Sequence, residues 1–80
     1  MKLYVKTGCP WCVDAVAYMR AKNMTFEEID VLKDPVAFHD MQRLSGQTKA
    51  PTLVLETGAV LPDFDVQELE TFLAEQDFPS

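Results

Sequence analysis

The period of the hydrophobic pattern changes several times along the chain, and the changes mark its elements. LYVK (3–6) is a short β-branched and aromatic run that reads as a strand, and TGCP breaks it. A helix is expected from Pro10, because proline at the first helical position has its φ pre-set and lacks an N–H that would go unpaired there. Val13, Val16, Ala17 and Arg20 follow at i, i+3, i+4 and i+7, which predicts the inward face, with the Arg20 stem along the core edge. Asn23 suits the stop of this helix, after Arg20 and Lys22 in its last turn. TFEEIDV (25–31) alternates imperfectly and closes on Ile29, Val31 and Leu32, a second strand.

Asp34-Pro35 starts the next helix, with aspartate as cap and proline at the first position. Phe38, Met41 and Leu44 are its expected inward residues, and Ser45-Gly46 its end. PTLVLE (51–56) is an apolar strand, Thr57-Gly58 a turn and AVL (59–61) a short partner strand. Asp65 followed by Glu68 has the form of a capping box, and Leu69, Phe72 and Leu73 recur at helical spacing behind it. The order β-α-β-α-β-β-α predicts an α/β domain. Its first two strands are parallel across a helical crossover, its last two form a hairpin, and the product is a four-stranded mixed sheet with three helices.

Eighty residues, 48 % of them hydrophobic, suffice for a single domain over 1–80 that collapses around a core. No stretch approaches the ~18 apolar residues of a membrane helix, and the apolar run in MKLYVKTGC is too short for a secretion signal. A cytoplasmic protein is the default expectation. The net charge of −6 is unevenly placed: residues 1–55 hold all seven Lys and Arg and six acids, whereas 56–80 hold seven acids and no base. An acidic chain without a basic stripe is not expected to bind nucleic acid or an anionic membrane, and the acidic third reads as a solvated helix face. Function is to be sought in the other half.

GCPWC (8–12) holds the two cysteines, too few for a disulfide framework. The attacking species in disulfide exchange is the thiolate. Cys9, just before Pro10, falls at the helix N-terminus, where unpaired N–H groups and the helix dipole favour an anion, and Lys6 on the incoming strand adds positive charge. Cys9 is therefore the candidate nucleophile. Cys12, three residues on, faces it from the same side of the helix and is placed to resolve a mixed disulfide. Pro10 stiffens the turn. Trp11 offers either a flat surface for a substrate peptide or a half-buried anchor. A zinc site needs four ligands and the chain has two Cys and one His, His39, expected on an exposed helix face, so no metal is expected. An iron–sulfur cluster bridging two chains through Cys9 remains open.

These residues resemble the glutaredoxin family, within the thioredoxin-like fold. The resemblance covers nearly the whole chain through YVKTGCPWC (4–12), SGQTKAPTLVL (45–55) and LPDFDV (61–66). It implies that Pro51 is cis, and that the backbone of Ala50, where valine is usual, pairs with the cysteinyl part of glutathione. Lys49 stands where threonine is usual. Lys6 and Gln47 match the family's ligands for the glycyl carboxylate. Asp65 matches the acid that meets the γ-glutamyl ammonium, with backbone donors at Phe64 to Val66. Lys6 also suits a plain surface lysine, and Asp65 a plain helix cap. The family's double glycine is absent, replaced by Pro62-Asp63, and its second acid is Val66.

The resemblance implies a dithiol thiol–disulfide oxidoreductase, a monomer whose partners are disulfide-bearing proteins and whose co-substrate is glutathione. The missing glycines motivate an alternative, a redoxin of the type that feeds ribonucleotide reductase and is recharged by thioredoxin reductase. The rival from another class is a non-catalytic iron–sulfur carrier, which Pro10 disfavours by the same resemblance.

Overall fold

The computed structural model describes residues 1–76. Asp77, the last acid of the acidic third, lies outside them. In chain order the elements are β1 (Lys2–Val5), α1 (Pro10–Ala21), β2 (Glu27–Asp30), α2 (Pro35–Ser45), β3 (Thr52–Val54), β4 (Val60–Pro62) and α3 (Val66–Glu75). One sheet runs β2-β1-β3-β4, with β1 and β2 parallel and the β1–β3 and β3–β4 pairs antiparallel. This is the four-stranded mixed sheet with three helices of the thioredoxin-like fold.

Strand alternation splits the core into two layers. Leu3 and Val5 of β1 join Leu53, Cys12, Ala15, Met19, Leu69 and Leu73 beneath α1 and α3. Tyr4, between them, turns to the other face and packs with Val31, Ala37 and Met41 of the α2 layer. Leu3 and Leu53 are opposite one another across the β1–β3 ladder, and both are fully buried.

The helix starts follow the caps. Asp34 accepts the N–H groups of Val36 and Ala37 at 3.1 and 3.2 Å, with Pro35 opening the helix. Gly46 ends α2 in the left-handed conformation. Asp65 and Glu68 form the reciprocal capping box of α3. At the end of α1, Asn23 takes φ 56°, and the N–H groups of Asn23 and Met24 bond Arg20 and Met19 carbonyls, the double closure of a Schellman turn.

Three expectations change. The buried stripe of α1 is Cys12, Ala15 and Met19; of the expected face only Val16 packs against the core, half-buried, while Val13 is 66 % exposed, Ala17 is exposed and Arg20 pairs with Glu28 at 3.1 Å. Leu44, in the last turn of α2, stays partly exposed while Ala37 takes the inward place. Two strands are shorter than their expected runs, since β2 keeps Glu27–Asp30 and β3 Thr52–Val54, and β1 and β4 are each shifted by one residue. Phe26 and Val31, just outside it, pack into the two core layers.

Candidate active site

The cysteines are set by the turn that joins β1 to α1. The Cys9 N–H reaches back to the Lys6 carbonyl at 3.2 Å and closes a four-residue turn. Its third position, Gly8, has φ +84°, a conformation that side-chain-bearing residues rarely adopt. Cys9 then serves as the N-cap of α1 in extended conformation, and its sulfur accepts the Cys12 N–H at 3.2 Å. A backbone N–H and the positive end of the helix therefore converge on Cys9 Sγ, where they stabilise negative charge.

Both cysteines are free thiols, and their surroundings differ. Cys9 is half-buried, at the surface of the core layer. Cys12 is 3 % exposed. Burial, reinforced by the hydrogen bond with Cys9, pushes the Cys12 thiol up to about 12. It holds its proton at neutral pH. The two thiols therefore differ in access, one half-buried and the other buried with its proton held.

The loop 45–51 lies against Cys9. The Ala50–Pro51 bond is cis, and the Ala50 carbonyl lies 3.8 Å from Cys9 Sγ. Gln47 is committed to the loop itself: its Nε2 donates to Ser45 Oγ at 2.9 Å and Thr52 Oγ1 at 3.1 Å, and its Oε1 accepts the Lys49 N–H. The buried Thr52 hydroxyl in turn donates to the Lys49 carbonyl at 2.9 Å. This web of side-chain bonds holds the segment that presents Ala50 to Cys9.

Across from it, Asp63 adopts φ 48°, a left-handed conformation at one of the positions where the family resemblance expects glycine. Lys49 Nζ lies 4.0 Å from Asp63 Oδ2. Phe64 is 2 % exposed and fills the α1–α3 core, so its side chain belongs to the packing. Asp65 Oδ1 accepts the Glu68 N–H at 2.8 Å, and the Asp65 N–H donates to Glu68 Oε1 at 3.3 Å. Val66 opens α3 and is half-buried. Cys9, Cys12 and Ala50 are thus in contact, while Gln47 and Asp65 spend their polar groups within their own segments.

Lys6 is half-buried, with its ammonium 5.3 Å from the centre of the Phe38 ring. Trp11 is 60 % exposed beside the two sulfurs in sequence, an open surface and not an anchor. His39 is exposed, as expected. The sequence reading missed Thr7 and Asp30. The Thr7 hydroxyl bonds the Asp30 carboxylate, and the other carboxylate oxygen accepts the Leu32 N–H at 2.9 Å. This clasp ties the turn before Cys9 to the end of β2, where the parallel register sets Asp30 against Val5. An aspartate two residues before an accepted N–H is the signature of an Asx turn, and that signal was present in D-V-L. The Thr7 hydroxyl holds the Asp30 carboxyl below its ordinary value.

A mixed sheet with a C-x-x-C pair at the N-terminus of its first helix and a cis-proline loop against the outer sulfur defines the thioredoxin-like class. Two crystal structures of the thioredoxin-like protein BC3987 match it with TM-scores of 0.81 and 0.80 at 29 % identity, over 90 % of this chain and 96 % and 97 % of theirs. Within that class the sequence profile of the glutaredoxin family matches residues 1–59, and the chain belongs to the glutaredoxin family. An uncharacterized glutaredoxin-like 8.6 kDa protein in the rubredoxin operon of Clostridium pasteurianum is 27 % identical over 73 residues, 91 % of this chain and 96 % of that one. Glutaredoxin 3 of Escherichia coli K12 is 27 % identical over 56 residues, 70 % of this chain and 68 % of its own. Membership supports a thiol redox function. Among the described residues no helix is long and apolar enough to cross a membrane.

Proposed function

We propose that the protein is a dithiol glutaredoxin of C-P-W-C type, a thiol–disulfide oxidoreductase that reduces protein disulfides and glutathione mixed disulfides. The observation that carries this reading is the pairing of Cys9 Sγ with the Cys12 N–H at the start of α1. The Cys9 thiolate attacks a substrate disulfide, one S–S bond breaking as another forms, and the first substrate sulfur leaves as a thiolate that takes up a proton. Cys12 then attacks Cys9 Sγ and gives up its proton, and the second substrate sulfur leaves as a thiol. Two glutathione molecules return the Cys9–Cys12 disulfide to the dithiol and leave as oxidised glutathione. Trp11 offers the flat apolar surface on which a substrate segment rests.

Glutathione is held, in this reading, at its glycyl carboxylate by Lys6 and by Gln47 once its amide leaves Ser45 and Thr52, and at its cysteinyl part by the Ala50 backbone beside Pro51. Asp65 and the backbone of Phe64 to Val66 take its γ-glutamyl end, and Lys49 adds positive charge beside the site. The protein acts as a cytoplasmic monomer on disulfide-bearing proteins. Cys9→Ser abolishes glutathione-dependent reduction of a mixed disulfide, whereas Cys12→Ser spares that reaction and impairs reduction of protein disulfides. Activity that persists without Cys9 sinks the assignment.

A second reading concerns the reductant alone. The Gln47 amide and the Asp65 N–H are already hydrogen-bonded within the chain, and position 62 is a proline. These features favour recharging by a protein, as in redoxins served by thioredoxin reductase. Turnover with glutathione and its reductase, set against turnover with thioredoxin reductase alone, separates the two.

A further inference from the structure

The loop that reaches Cys9 bears a lysine, and this lysine meets an aspartate on the turn after β4. Lys49 immediately precedes Ala50, whose carbonyl lies 3.8 Å from Cys9 Sγ, and its ammonium stands 4.0 Å from the Asp63 carboxylate in the turn after β4. Lys49 is anchored at its main chain, where the N–H donates to Gln47 and the carbonyl accepts from Thr52. Asp63 adopts the left-handed conformation at φ 48°. The Lys49 backbone is therefore held while its side chain reaches Asp63.

The pair adds little to stability. The side chains are 74 % and 52 % exposed, and ion pairs in such surroundings are weak. Its effect falls on a ligand that approaches Cys9 past Lys49. A thiol ligand with a carboxylate has its natural counter-charge in Lys49, which is already engaged.

We propose that Lys49 and Asp63 form a charge latch beside Cys9, which glutathione must open before its carboxylate can meet Lys49. The proposal rests on Cys9 as the exchange nucleophile. It adds a specificity device that disfavours an anionic small thiol relative to a disulfide whose neighbourhood carries no carboxylate.

The test is a double-mutant cycle in a Cys12→Ser background, which stops the reaction at the Cys9 mixed disulfide. Oxidised glutathione is titrated against four proteins: the parent, Asp63→Asn, Lys49→Gln and the double variant. In each, the Cys9 thiolate displaces one glutathione thiolate, and the adduct is counted by mass spectrometry. Asparagine tolerates the left-handed backbone, so Asp63→Asn removes charge without disturbing the turn. Asp63→Asn is expected to raise the adduct equilibrium about two- to five-fold, the range set by an exposed ion pair. In the Lys49→Gln background the same change is expected to do nothing. Neutral hydroxyethyl disulfide, run in parallel, is expected to show no difference between parent and Asp63→Asn.

An equal gain in both backgrounds overturns the latch, because it means only that a repelling carboxylate was removed. No gain, or the same gain with hydroxyethyl disulfide, also overturns it. If no protein forms a glutathione adduct while hydroxyethyl disulfide still modifies Cys9, the latch and glutathione as reductant both fall and the nucleophile stands. If neither disulfide reacts at Cys9, the thiol-exchange reading falls with them.

Discussion

The two helices on the same face of the sheet, α1 and α3, satisfy their first N–H groups in different ways. In α3 the cap is an aspartate in a closed exchange: Asp65 takes the Glu68 N–H at 2.8 Å and Glu68 returns a bond to the Asp65 N–H at 3.3 Å. In α1 the cap is a sulfur, a weak acceptor, with one N–H at 3.2 Å and nothing reciprocal. The stronger arrangement is structurally complete and leaves little for chemistry. The weaker one leaves a half-buried sulfur at the surface, the nucleophile of the proposed exchange. The same local problem is thus solved once by a closed exchange of bonds and once with a sulfur left accessible.

Cys9→Ser tests the comparison most severely. Serine is a strong N-cap, so the variant is expected to lose all disulfide exchange while its stability stays within about 1 kcal/mol of the parent or rises. A larger fall in denaturant-measured stability breaks the claim that the sulfur is the weaker cap. Cys12→Ala comes next. The folded Cys12 thiol keeps its proton up to about 12, whereas an unfolded thiol releases it near 8.5. The native state therefore binds the extra proton between those values, and stability falls as pH rises through that window. The slope from this group is at most about 1.4 kcal/mol per pH unit. Reduced Cys12→Ala is expected to lose less stability between pH 9 and 12 than the reduced parent, read from urea unfolding; identical slopes refute it.

Asp65 sharpens the other side. Asp65→Ala is expected to cost about 1 kcal/mol, while Asp65→Asn, a comparable cap, costs little. If Asp65→Asn keeps its stability and still raises the KM for glutathione, the carboxylate serves a ligand as well as the helix. The smallest effect belongs to the clasp beside α1. The Thr7 hydroxyl depresses the Asp30 carboxyl, so its contribution is present above the ordinary carboxylate range and lost as pH falls through the folded value. Thr7→Val is expected to flatten the acid limb of the stability curve slightly, with Thr7→Ser restoring it. An unchanged acid limb shows that the clasp carries no linkage.

The legible parts of the sequence were those in which one residue type has one strong local role. Pro10, Asp34-Pro35, Asp65 with Glu68, and Gly46 placed helix ends correctly because capping is decided within four residues. The inward face of α1 was not legible from spacing, since Trp11, Val13, Val16 and Ala17 make the helix apolar on more than one side. Packing against β1, β3 and α3 selects Cys12, Ala15 and Met19 instead. At the site, Cys9 and Cys12 were read from their place at a strand-to-helix turn. The Gln47 web follows no period, and the Lys49–Asp63 pair joins positions fourteen apart that only the folded sheet brings together.

The single tryptophan has a practical consequence. Trp11 lies between the two cysteines in the chain and is 60 % exposed, so its emission comes wholly from the neighbourhood of the couple. No second indole dilutes the signal. Oxidation and reduction can be followed as a change in intrinsic fluorescence, turnover by turnover in a stopped-flow cell, without a label. The protein carries its own optical gauge of its redox state.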